Sequence, residues 1–105
     1  MFCCGKHVKI EAEVCADPVW CLCGANLELD AFPLSEELTE QLWEWNVQYG
    51  EWLEESDYDD DLLVQRLGKE AIEDFNRRGK ELAMRVRKEL GEDVQVHFSP
   101  LKMRE

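Results

Sequence analysis

The chain has 105 residues, 45% of them apolar and 34% charged, with a formal net charge of −12. That length supports one modest core and excludes a second, and the apolar share excludes a disordered acidic chain. No stretch approaches the ~18 apolar residues of a membrane span, and the net charge repels nucleic-acid phosphates and anionic lipid.

The charge is unevenly placed. From Ile10 to Gln65 there are sixteen Asp and Glu and no Lys or Arg, whereas residues 66–105 hold ten basic against eight acidic residues. A field of that kind favours a basic protein partner. The start, Met1-Phe2-Cys3-Cys4-Gly5-Lys6, lacks the basic-then-apolar order of a secretory signal, so the expected location is cytoplasmic. A monomer or weak homodimer is expected.

In chain order, His7–Val14 alternates strictly, with Val8, Ile10, Ala12 and Val14 on one side and His7, Lys9, Glu11 and Glu13 on the other. This is the pattern of a strand with one buried and one wet face. Asp17-Pro18 marks a turn, after which Trp20 and Leu22 alternate with Cys21 and Cys23, then Leu27 and Leu29 with Glu28 and Asp30. This predicts a short or bulged middle strand made irregular by Gly24 and Asn26. Ser35 is a natural N-cap, with Glu36 and Glu37 in the first turn of a helix running to about Glu55. Its stripe of Leu38, Leu42, Trp45, Tyr49 and Trp52 falls within an arc of roughly 80°. An Asp at 59–61 caps a second helical region in which Leu63, Leu67, Ala71, Phe75, Gly79, Leu82, Val86 and Leu90 keep the helical period. Gly91 stops that region and Gly68 predicts a break within it. Asp93–Phe98 alternates again, with Val94, Val96 and Phe98 inward, and Ser99-Pro100 ends it.

The expected class is therefore α+β, one two-layer domain over residues 1–105 with tails at 1–6 and 99–105. A small antiparallel sheet of two or three strands is covered on one face by an antiparallel helix pair. The first and last strands are expected to run antiparallel, leaving His7, Lys9, Glu11, Glu13, Gln95 and His97 on the open face.

Two sets of side chains suggest metal chemistry. Cys15, Cys21 and Cys23 together are a soft, zinc-type donor set, with Cys21 and Cys23 expected on one side of a strand. The Cys-x-Cys spacing departs from the Cys-x2–4-Cys pairs of structural zinc sites, and buried small thiols are the alternative reading. His7 and His97 share outward parity and are expected as cross-strand neighbours, a second and weaker metal candidate, with Cys3 or Cys4 as further donors. Asp57-x-Asp59-x-Asp61 starts like a calcium loop, but Leu62 replaces the turn glycine and Gly68 the bidentate Glu. No nucleophile–base arrangement or phosphate-cradling glycine run occurs, so no catalytic role and no cofactor other than zinc is expected.

The first helix carries an anomaly. Trp43 and Val47 fall at roughly 140° and 180° from Leu38, on the back of the helix, among Glu36, Glu40, Glu44, Glu51 and Glu54. An apolar anchor ringed by acids has the anatomy of a protein-binding hot spot for a basic partner, with Trp43, Val47, Glu40, Glu44 and Glu51 as contacts. The alternative is that Trp43 packs under the 24–33 loop or under the tail containing Leu101 and Met103. The bases Arg77, Arg78, Lys80, Arg85, Arg87 and Lys88 are expected beside the acidic helix, with Glu81 and Arg85 as a local pair.

Pro18-Val19-Trp20, Asn26–Asp30 leading to Phe32–Leu38, Trp45 with Tyr49, Gly79–Leu82 and Glu89-Leu90-Gly91 resemble a family of small acidic bacterial proteins of unknown function. Some of these are similar in style to immunity proteins. The resemblance spans residues 8–98 and implies binding and neutralisation of a toxin. The alternative is a zinc-binding or redox-responsive module built on the N-terminal cysteines.

Overall fold

The computed structural model of the chain describes residues 7–14 and 16–101. Strand β1 (His7–Ile10) is followed by β2 (Val19–Cys21), a 3₁₀ turn at Leu29–Ala31, helices α1 (Glu36–Glu55), α2 (Asp60–Leu67) and α3 (Lys69–Leu90), and strand β3 (Gln95–Phe98). β1 is central. It pairs antiparallel with β2 in the register Lys9 to Trp20, and parallel with β3 in the register Lys9 to His97.

The α+β, two-layer expectation holds, but the sheet is mixed and the first and last strands run parallel. The physical reason is a count of reversals. The β1–β2 hairpin is a reversal additional to that of the α1/α3 pair, so a returning helix pair alone does not set the direction of β3.

β1 is also shorter than its alternation, which continues to Val14. Beyond Ile10 the β1–β2 register yields one more backbone bond, and then the chain turns to a helix side chain. The Glu11 N–H donates to the Pro18 carbonyl at 3.2 Å and the Glu13 N–H to Asn46 Oδ1 at 2.8 Å. Buried Asn46 returns the favour to the chain, its amide donating to the Ala16 carbonyl at 2.7 Å. A helix side chain thus satisfies groups that a longer strand would have paired.

The helices follow their local signals. The Ser35 hydroxyl accepts from the Leu38 N–H at 3.2 Å, and Asp59 accepts from the Asp61 and Leu62 N–H groups to start α2. The break falls at Gly68, whose φ of 83° lies in the left-handed region that glycine enters without steric cost. Leu38, Leu42, Trp45 and Tyr49 are buried as the stripe requires. Trp52 is only half-buried and Leu53 takes the inner place, with Trp52 tilted against Phe75 at 5.2 Å between ring centres.

α1 and α3 are antiparallel: Arg85 reaches Gln41 and Glu37, Arg78 reaches Gln48, and Phe75 meets Trp45 and Trp52. Trp45 is the centre of the core. It stacks on Phe75 at 4.7 Å, and its indole N–H donates to the Phe75 carbonyl at 3.0 Å. Gly79 makes room for it, since a Cβ there would lie 2.4 Å from Trp45 Cζ2. After β3, the Ser99 N–H donates to the Ile10 carbonyl, and Leu101 exchanges two hydrogen bonds with the Asn76 side chain. Among the described residues no helix is long and apolar enough to cross a membrane.

Candidate functional site

The antiparallel helix pair leaves a groove of about 730 Å³ along one side. α1 supplies Gln41, Trp43, Glu44, Trp45, Val47, Gln48 and Glu51; α3 supplies Arg78, Glu81, Leu82 and Arg85. Trp45 closes its base as part of the core, while Trp43 is 48% and Val47 37% exposed. An indole half in water costs hydration free energy that a partner's surface would recover.

The charges in the groove are not equivalent. Arg78 donates to Gln48 Oε1 at 2.7 Å, lies 3.4 Å from Asp74, and stands over the Phe75 ring. Arg85 donates to Gln41 and lies 3.8 Å from Glu37. Both cations are thus occupied across the helix interface. Glu44, Glu51 and Glu81 make no hydrogen bond or ion pair among the described residues, and Glu81 does not form the local pair expected with Arg85. Arg85 turns to α1 because the interhelical acceptors lie within its reach. The charge left available in the groove is negative.

At the N-terminus of α1, the Ser35 N–H and hydroxyl both donate to the Glu89 carboxylate, the hydroxyl at 2.8 Å. These two bonds, with Arg85 nearby, hold the Glu89 carboxyl below its ordinary pKa. A second, smaller cavity of about 290 Å³ lies beside Tyr49, Asp60 and Ser99. The Tyr49 hydroxyl donates to Asp60 Oδ1 at 3.1 Å, and its pKa is raised, first by burial and then by the negative charge of Asp60.

A family model described as Serratia CdiI immunity protein-like matches residues 6–101. The chain belongs to that family. No curated protein matches the sequence. Membership in an immunity-protein-like family supports a toxin-neutralising, protein-binding role in general, and such proteins are generally non-catalytic. It also agrees with the resemblance read from the packing and capping residues.

Within this immunity-like fold, four of the residues singled out for protein binding, Trp43, Val47, Glu44 and Glu51, line one groove. Glu40 is exposed one turn earlier on α1, outside the lining. Trp43 is left 48% exposed, and Leu101 exchanges hydrogen bonds with Asn76. The opposite wall is Glu81 and Leu82 with Arg78 and Arg85, two bases expected beside the acidic helix but not as part of a binding groove. Its signal was the spacing of seven from Arg78 to Arg85, two helical turns on one face of α3.

The thiols fare differently. β2 ends at Cys21, which is buried, and the following turn leaves Cys23 exposed, so the two do not share one side of a strand. Gly24, with its φ of 96°, belongs to the turn that interrupts the alternation. Cys15, Cys3 and Cys4 lie outside the described residues. Among the described residues no group of three or more His, Cys, Asp and Glu is placed to hold a metal ion. His7 and His97 do meet: Nδ1 of the one is 3.2 Å from Nε2 of the other, with the rings 5.5 Å apart. They meet as diagonal neighbours across parallel strands, since His7 is in register with Gln95.

Proposed function

We propose that this chain binds and neutralises a polypeptide toxin through the α1/α3 groove, and that the toxin presents a basic surface there. The observation that carries the reading is the pairing of a half-exposed Trp43 with glutamates that no basic side chain of the described residues neutralises. Family membership supports a toxin as the class of partner. Charge complementarity supports its basic character, because Glu44, Glu51 and Glu81 stand uncommitted while Arg78 and Arg85 are held by α1.

Trp43 supplies the anchor. Half of a Trp side chain amounts to about 75–120 Å², which at ~25 cal/mol per Å² contributes about 2–3 kcal/mol on burial. That is enough for a dominant contact in an interface of ordinary size. The glutamates act on encounter rate and partner choice more than on raw affinity. Neutralisation then follows from occlusion of the toxin's working surface, with no chemistry asked of this chain.

The test is protection in a living cell. The toxin domain is expressed from an inducible promoter together with the wild-type chain or with Trp43→Ala combined with Glu44→Lys and Glu51→Lys. Growth should continue with the wild type and stop with the triple variant, at equal levels of soluble folded protein. Full protection by the triple variant would remove the groove from the account.

A further inference from the structure

The open face of the sheet carries a second feature, independent of the groove. His7 on β1 and His97 on β3 bring Nδ1 and Nε2 to 3.2 Å, and each ring's only hydrogen-bonding partner among the described residues is the other. Two imidazole nitrogens bound at 2.0–2.1 Å to one tetrahedral ion lie about 3.3 Å apart. The observed separation, which the two rings hold by a hydrogen bond, also matches that of a chelating pair.

We propose that His7 and His97 form a surface site for an imidazole-preferring divalent transition metal of the zinc, nickel or copper class, which clips the edge strand β3 to the central strand. The donor set decides the class. Two neutral nitrogens suit these ions, whereas calcium and magnesium require oxygen ligands. His7 binds through Nδ1 and carries its proton on Nε2; His97 binds through Nε2 and carries its proton on Nδ1. Water fills the remaining coordination positions.

The neighbouring cation does not oppose the ion at close range. Lys9 is in register with His97, but its ammonium lies 2.7 Å from the Glu11 carboxylate and 5.9 Å from the centre of the Trp20 ring. Trp20 stands on β2, on the opposite side of β1 from β3, so this charge is drawn along the same face toward β2 and away from His97. The parallel register is essential to the geometry. It sets His97 one side-chain step past Gln95, the residue opposite His7, with both imidazoles on the same face. A one-residue slip would turn His97 to the other face of the sheet.

The experiment is a zinc chloride titration of the full chain, kept reduced, followed by long-range ¹H–¹⁵N NMR of the imidazole rings and by the thermal midpoint. His7 Nδ1 and His97 Nε2 should shift together and saturate near one equivalent, and the midpoint should rise with zinc and return with a chelator. His97→Ala is substituted at an exposed site and is checked for folding by circular dichroism. It should lose the zinc-dependent rise and bind at least ten-fold more weakly. Zinc binding that leaves both ring nitrogens unmoved, or that persists unchanged in His97→Ala, would place the metal on the thiols and overturn the proposal. No binding up to millimolar zinc would overturn it as well.

Discussion

Gly79→Ala is the sharpest test of how α1 and α3 pack. In an open helix this substitution stabilises by about 0.8–1 kcal/mol, because Gly is the poorer helix former. Here the added Cβ would lie 2.4 Å from Trp45 Cζ2, 2.8 Å from Trp45 Cε2 and 2.7 Å from Phe98 Cε1. Trp45 has no direction of easy retreat, being stacked on Phe75 at 4.7 Å and tied to the Phe75 carbonyl at 3.0 Å. Overpacking of this kind costs about 1–3 kcal/mol, and loosening the indole hydrogen bond costs about 1 more. Set against the propensity gain, the net loss is about 1–3 kcal/mol. For a domain of this size each 1 kcal/mol lowers the midpoint by roughly 4–8 °C. Gly50→Ala is the internal control. Among the described residues its new Cβ meets only Val14 Cγ2 at 3.9 Å, an ordinary contact, so it should stabilise by about 0.5–1 kcal/mol. Urea unfolding followed by tryptophan fluorescence measures both. A Gly79→Ala protein as stable as the wild type would refute the close approach of the helices, and with it the shape of the groove.

Two further outcomes concern protons. Tyr49 keeps its proton when folded because burial and Asp60 raise its pKa, whereas an unfolded tyrosine loses it near pH 10. Its contribution is therefore fully present below about pH 10 and is lost as pH rises further. Tyr49→Phe should be about 0.5–1.5 kcal/mol less stable at pH 7 and show a shallower alkaline loss by denaturant titration. Glu89 behaves in the opposite sense, since Ser35 holds its carboxyl below the ordinary value. Its contribution is present above about pH 4.3 and is lost as pH falls through the lower folded value. Glu89→Gln should flatten the acid limb of the stability profile and speed amide exchange at Ser35. An unchanged acid limb would mean that the Glu89–Ser35 bonds do not hold the start of α1.

Local signals made much of this fold legible. The Ser35 cap, the inner residues from Leu38 to Tyr49, the Asp59 cap and the breaks at Gly68 and Gly91 depend on residues within a turn or two of one another. What failed depended on distant parts of the chain. The direction of β3 relative to β1 is settled by the number of reversals between them, which periodicity does not count. Strand β1 stops at Ile10 although its alternation continues: the Glu11 N–H meets Pro18, which has no N–H to return, and Asn46, thirty-three residues after Glu13, takes the Glu13 N–H. The candidate site was half legible. Helical angles placed Trp43 and Val47 on the outer face of α1, but which wall of α3 would stand beside them depended on the crossing of two helices. The His7–His97 contact was reached through an expectation of antiparallel strands, and it survives the correction because a diagonal step across a parallel pair also joins them.

The most direct measurement is the dissociation constant of the purified toxin domain with the wild-type chain, with Trp43→Ala, and with Glu44→Lys/Glu51→Lys, by calorimetry at two salt concentrations. Burial of the exposed half of Trp43 predicts a loss of about 25–150-fold for Trp43→Ala, from ~2–3 kcal/mol at 1.4 kcal/mol per ten-fold. The charge-reversed protein should bind more weakly at the lower salt concentration and lose most of the salt dependence. Affinities within two-fold of wild type for both variants, with the fold intact, would contradict the claim that the α1/α3 groove is where the toxin binds.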